Sequence, residues 1–500
     1  MPETIRATLF ILFAVSVAYL FFKKSILTVA PDLPCNRLLI LYGSALLLAA
    51  ILPGFWIFLI TLFLIIWFFS PRDVDSRLLL FLCLMLALPN LWLDIPGFGG
   101  MRFLMTMSYP RFLIIVLLLT LLFQPAAKHR RFGALRSDYY LTAYLLLRII
   151  LGFREDTITN GLREGVILFI DVIPIYYVMS RYIQDTQQLQ KLLVLFVFIL
   201  LCLSLIGMME TVKNWHLYNP FIHHLGTRNP PALYLERSGL LRASTIFYTP
   251  IALGFAVTLA YGAYLQFRPS LTNPVGRLGI PLLLLGGLAA SLSRGPWVGF
   301  ALLIFVYTLL QRNAISRVIK GFFLTLLFLP IASLTPFWDK FINLLPFIGS
   351  VEHENITYRQ RLIDNAWLVF QKYPLFGSPN YRNEPEMLKM IQGQGIIDVV
   401  NSYIRIGLEN GAVGLFFFVA FFIWLLRNSY RLSQHVANHD PQLQHLGICF
   451  TAMTVSTMFI ISTVSSIDYI PYLYWMLSGL VGAYIFITRE KLEGPESQKT

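Results

Sequence analysis

Apolar runs long enough to cross a bilayer recur along the whole chain, and no water-soluble fold accommodates so many. A helix covers about 30 Å of hydrocarbon with about 20 apolar residues. Candidate segments lie at 7–22, 37–53, 54–70, 77–95, 110–124, 138–153, 163–181, 191–211, 244–266, 277–293, 296–311, 317–336, 408–427, 445–464 and 469–487. The closely spaced pairs within 37–70 and 277–311 are the least separated, so about 12–15 spans are expected. Of 500 residues, 57% are hydrophobic and 13% charged, against about 45–50% and about 25% in soluble domains. The same figures exclude disorder. Barrel-like alternation is absent from these runs, and in lipid every backbone polar group has to be satisfied internally. The expected fold is therefore all-α, a polytopic transmembrane helix bundle.

The net charge of +13 would point to nucleic acid in a soluble protein. In a membrane protein it points to Lys and Arg retained in cytoplasmic loops, and no nucleic-acid-binding signature accompanies it. The basic clusters are Lys128, Arg130, Arg131 and Arg136; Arg312, Arg317 and Lys320; Arg427 and Arg431; and Arg489 with Lys491. Fifteen alternating spans put all four on the cytoplasmic side. The opposite face then receives residues 212–243, the Ser293-Arg294-Gly295 turn, the stretch 337–407 and the 465–468 turn. Cys35, Cys83, Cys202 and Cys449 read as small core residues. The first apolar run lacks a small-residue cleavage site and reads as a retained helix.

Four regions are expected: N-terminal transmembrane helices (1–190), central ones (191–336), a large extracytoplasmic loop (337–407), and C-terminal helices with a short tail (408–500). The loop has helical signals of its own. Thr357 precedes an apolar pattern at Leu362, Ala366, Val369 and Phe370 that ends at Pro374, and Asp398 precedes Val399, Tyr403, Ile406 and Leu408. A small helical cap is expected there.

Charge within the spans is rare. Arg148 and Asp171 are expected to pair between adjacent helices, the alternative being a substrate path. Outside, Arg242, Arg294, Arg359, Arg361, Arg382 and Arg405 gather on the face that the positive-inside rule disfavours. A guanidinium fork suits phosphate oxygens, so these arginines point to an anionic ligand such as a pyrophosphate. The spacing of Arg405 and Glu409 predicts an i,i+4 ion pair. Candidate general bases are Glu352, Glu354, Asp364, Glu384, Glu386, Asp398 and Glu409. His216, His223, His224 and His353 lack metal-ligand spacing, and there is no phosphate-cradling nucleotide loop, so neither metal nor ATP is expected.

Four segments carry a resemblance. AASLSRGPWVGF (289–300) resembles the S-x-S-R-G signature of the O-antigen ligase and polymerase family. LLRASTIFYTPIALGF (240–255) resembles the family's arginine-bearing outer segment. TYRQRLIDNAWLVFQKYPLFGS (357–378) and DVVNSYIRIGLENGAVGLFFF (398–418) resemble the entrance to and exit from its large periplasmic loop. The resemblance covers about residues 190–430 and implies a bacterial inner-membrane glycosyltransferase. It implies a polyprenyl-diphosphate-linked oligosaccharide as substrate, no cofactor, and chain-length regulator and export proteins as partners. Ligases of the family carry a His beside the Asn at the loop exit, where this chain has Val400 before Asn401. The D-V-V-N-S-Y form resembles exopolysaccharide repeat-unit polymerases instead. On this reading Arg242, Arg294 and Arg359, with Arg361 in reserve, grip the diphosphate. Asp398 is the first candidate base and Glu409 the second, while Asn401 and Tyr403 orient the sugar. Ser291, Ser293 and Gly295 form a tight turn that positions Arg294. Transfer of finished polymer to lipid A core, flipping or export of a lipid-linked glycan, and a non-enzymatic export scaffold are the alternatives.

Overall fold

The computed structural model describes residues 2–71, 73–123, 130–154, 157–321, 323, 353–391, 395 and 397–493. It is built almost wholly of helices. In chain order these are α1 (Glu3–Val29), α2 (Cys35–Ile51), α3 (Phe55–Phe69), α4 (Val74–Met85), α5 (Tyr109–Leu122), α6 (Arg136–Gly152), α7 (Ile158–Arg181) and α8 (Thr186–Lys213). They continue with α9 (Pro250–Phe267), α10 (Ile280–Ala290), α11 (Arg294–Leu309), α12 (His353–Lys372), α13 (Ser402–His435), α14 (Pro441–Ile461) and α15 (Tyr469–Glu493). Among the described residues six helices are long and apolar enough to cross a membrane, and α2, α3, α5, α11 and the stretch Val275–Ala290 are shorter apolar ones. The protein is a polytopic all-α bundle.

Local chemistry sets the helix ends. Asp185 accepts from the Gln188 N–H at the start of α8, Thr157 from Asn160 at α7, and Asp440 from Gln442 and Leu443 at α14. Pro250 and Pro441 occupy first turns, where a missing N–H breaks no helical hydrogen bond. α8 is apolar all round and buried along most of its length, which marks it as the central helix. It packs against α1, α4, α9 and α10. A second group forms where α15 lies along α7, and α13 lies between α6 and α14. All four cysteines are free, buried thiols.

Two expectations are corrected. The span at 77–95 is not one helix. α4 ends at Met85, and the chain enters an antiparallel hairpin of β1 (Trp92–Pro96) and β2 (Phe103–Ser108). The tip between them holds Gly97, Gly99 and Gly100. The last two have positive φ, and a Cβ on Gly97 would lie 2.0 Å from the Met101 carbonyl oxygen. The hairpin delivers Arg111, on the first turn of α5, to α7, and this undoes the expected Arg148–Asp171 pair. Asp171 accepts from Arg111 Nε at 2.9 Å and Nη2 at 2.7 Å, while Arg148 lies 5.9 Å from the centroid of the Tyr144 ring. The other expected spans coincide with helices except 317–336. Most of that span lies outside the described residues, as do Lys128, Glu352 and the start of the long loop.

The loop forms a cap with its own small core. Leu362, Ala366 and Val369 of α12 pack with Tyr381, Met387, Met390, Val399 and Leu408. The cap is fastened where α13 breaks at Gly411 (φ 67°, ψ −169°). That break leaves N–H groups of the next turn without helical partners. Ala412 donates instead to the Pro374 carbonyl at 2.8 Å and Val413 to Leu375 at 3.2 Å, while Ser378 N–H reaches Leu408 at 2.8 Å. Arg154 adds bonds to the carbonyls of Phe376 and Gly377. Essentially only glycine adopts this backbone conformation, and a Cβ here would sit 2.2 Å from the Leu375 backbone. Gly411→Ala should destabilise cap docking by at least about 1–3 kcal/mol. Limited proteolysis in detergent should then cut residues 373–401 faster; an unchanged cleavage rate would show that the cap is held elsewhere.

Candidate active site

The segments expected on one face do meet at one end of the bundle. α10 ends at Ala290, and a turn through Ser291, Leu292 and Ser293 starts α11 with Arg294 as its first residue. Leu292 has φ 45°. Both serines are buried and close the turn, Ser291 Oγ donating to the Leu288 carbonyl at 2.7 Å and Ser293 Oγ to the Ser291 carbonyl at 2.8 Å. The Trp297 indole N–H also donates to Leu288 O, at 2.9 Å. Arg294, half-buried, therefore sits at a helix N-terminus, where the backbone already favours negative charge.

Other arginines converge on this turn. Arg242 Nη2 donates to Ser293 Oγ at 3.1 Å, and Arg237 donates to the Leu292 carbonyl. Glu210, fully buried near the end of α8, holds the Arg242 segment in place by accepting from the N–H groups of Leu217, Ser244 and Thr245. On the far side the turn after α14 closes in. A Cβ on Gly295 would lie 2.4 Å from Thr463 Oγ1, and the Thr463 carbonyl accepts from Arg359 Nη2 at 3.4 Å. Ser465 Oγ donates to the Val399 carbonyl and, at 3.4 Å, to Asp398 Oδ1. Burial lifts the Asp398 carboxyl above its ordinary value, while the Ser465 hydroxyl and the Arg359 guanidinium pull it back down. Arg242 is thus bonded to the turn at which Arg294 starts α11, and Arg359 and Asp398 are bonded to the Thr463–Ser465 turn that lies against Gly295.

The bundle's other end is fixed by the same helices. Arg130 pairs with Glu490 at 2.6 Å and Lys491 with Asp440. Asp468 and Glu490 flank opposite ends of α15, so the basic clusters at 130 and 489–491 lie across the bundle from the arginine turn.

Residues 280–419 match the family model described as O-Antigen ligase. The chain carries an O-antigen ligase family domain. Compared with curated proteins, the sequence finds no match. The family domain contains Arg294, Arg359, Arg361, Asp398, Asn401, Tyr403 and Glu409, and Arg242 reaches it from outside the matched residues.

The structure separates the remaining candidates from this spot. Arg361 is exposed and, two residues from Arg359, lies about 200° away around α12. Glu409 forms the expected pair with Arg405 at 2.8 Å and faces a different space, a cavity between α6, α7 and α15. Asn401 Oδ1 caps α13 by accepting from the N–H groups of Tyr403 and Ile404, and the Tyr403 hydroxyl donates to the Met458 carbonyl at 2.9 Å. Sequence reading missed Thr463, Ser465 and Ser466, which tie the cap to the turn. Their signal is the polar run STVSSID between two apolar spans.

Gly295 lies where the two halves of the site touch. Gly295→Ala should push Thr463 and Arg294 apart, and an ångström of misplacement can lower turnover by about 100-fold. Combining it with Thr463→Ala, which removes the clashing hydroxyl, should restore most of the loss. A double variant as inactive as the single one would deny this contact a positioning role.

Proposed function

We propose that the protein is a glycosyltransferase of the bacterial inner membrane that joins polyprenyl-diphosphate-linked oligosaccharide repeat units into a longer surface or secreted polysaccharide on the periplasmic face. The observation that carries this reading is that Arg242, Arg359 and Asp398 are tied around the turn at which Arg294 starts α11, and all of these but Arg242 lie inside the O-antigen ligase family domain. Three guanidinium groups and a helix N-terminus suit the charge that builds on a departing diphosphate. Asp398 takes the proton from the acceptor sugar hydroxyl. That oxygen bonds to the anomeric carbon of the donor, the bond from that carbon to phosphate breaks, and polyprenyl diphosphate leaves with the electron pair. A single displacement of this kind inverts the anomeric centre and needs no protein nucleophile. Asn401 and Tyr403 serve by holding the start of α13, and so Asp398, in place. Val400, which cannot accept a proton, stands where the resemblance puts a His in ligases, and this favours polymerisation over transfer to lipid A core.

A deletion strain separates the two. Loss of polymer with single repeat units still on the lipid carrier is the expected outcome. Polymer accumulating on the carrier with uncapped lipid A core would make the protein a ligase. Complementation with Arg294→Ala should give no polymer on a gel despite normal membrane insertion, and unchanged polymer length would remove Arg294 from the mechanism.

The pH profile tests the base. A carboxylate acts as base only when ionised, so kcat/KM should fall on the acid side at a pH above that of an ordinary aspartate. Arg359→Ala withdraws a cation that favours the ionised form, so the acid limb should move to higher pH. An unmoved limb would assign the base elsewhere.

A further inference from the structure

α7 carries a polar stripe, Asn160, Arg163, Glu164 and Asp171, at the spacing of one helix face. Such a stripe in a membrane bundle faces protein or a water-filled space, and here it faces a cavity of about 970 Å³. That volume is at the upper end of the roughly 300–1,000 Å³ typical of ligand sites. Among the described residues four arginines and four carboxylates line it, so their charges balance. Two of the arginines are neutralised on the spot, Arg111 by Asp171 and Arg405 by Glu409. Tyr144, Tyr474 and Trp475 contribute aromatic lining between the charged groups. The arginine turn differs in chemistry: Arg359 is the guanidinium that acts on the Asp398 carboxylate, while Arg242 is bonded to the Ser293 hydroxyl.

We infer that this chamber binds the uncharged glycan portion of a lipid-linked substrate while the arginine turn holds the diphosphate. Sugars present hydroxyls to planar, paired carboxylate and guanidinium groups and C–H faces to aromatic rings, and the chamber offers both without the net charge that would select an anion. The two sites share a wall. Ser465 reaches Asp398, whereas the next residue, Ser466, lines the chamber and meets Ser402 Oγ at 2.7 Å. A diphosphate-linked chain anchored at the arginines therefore has its sugars beside the chamber. This inference rests on the glycosyltransferase reading above.

The experiment uses full-length protein in nanodiscs and two probes: undecaprenyl diphosphate without sugar, and the oligosaccharide released by mild acid from the lipid-linked pool of producing cells. Arg148→Gln and Glu164→Gln each alter a chamber group outside the two ion pairs. Each should weaken oligosaccharide binding by about tenfold, the loss of one charge-assisted hydrogen bond, and leave undecaprenyl diphosphate binding intact, which also shows that the variant is folded. Arg294→Ala should do the reverse. Native-like oligosaccharide binding by both chamber variants would overturn the inference and leave the proposed reaction standing. Weakened undecaprenyl diphosphate binding in them would overturn it too, making the chamber an anion site. Native protein that binds neither probe would overturn the proposed function and the chamber with it.

Discussion

Backbone that leaves the helical ladder inside a membrane bundle has to find its hydrogen bonds in the protein, and the site is built from such departures. α10 and α11 are joined by a turn closed by two serine hydroxyls. α13 is broken at Gly411, and its N–H groups are taken up by carbonyls of the cap. Glu210 collects the backbone donors that lead into the Arg242 segment. The break in α13 is satisfied by the cap, and the Ala243 N–H and the Arg237 guanidinium reach the carbonyls of Ala290 and Leu292 beside the arginine turn, so satisfying them draws the cap onto α13 and the Arg242 segment onto the turn. The arginines are held by the same contacts that make the fold possible.

That architecture also sorts charge. Arg237 and Arg242 bond to the turn that starts α11, whereas the chamber beside α7 pairs two of its arginines with acids. A diphosphate-linked glycan has the same division, a charged anchor followed by an uncharged chain. The turn from Thr463 to Asp468 stands between the two environments and touches both.

Much of this was legible in the sequence where a period or a cap carried it. The apolar spans, the pattern at Leu362, Ala366 and Val369, and the Arg405–Glu409 pair follow from helical spacing. Counting alternating spans put the segments that carry Arg242, Arg294 and Arg359 on one face, and no more than that. Tertiary choices were not legible. Hydropathy merged α4 with β1 because the hairpin is also apolar, although the Pro-Gly-Phe-Gly-Gly run at 96–100 marks its tip. Arg148 and Asp171 lie on neighbouring helices, yet nothing local says that the hairpin places Arg111 closer. Asp398 and Glu409 are eleven positions apart, and only the fold shows that they open to different spaces.

The central claim is that the arginine turn releases a lipid diphosphate while a glycosidic bond forms. Purified protein in liposomes, supplied with lipid-linked single repeat units and neither nucleotide sugar nor an ion gradient, tests it most directly. The account predicts a ladder of longer lipid-linked glycans, with one polyprenyl diphosphate freed for every unit added. Repeat units that cross the bilayer and remain single would contradict it and make the protein a transporter.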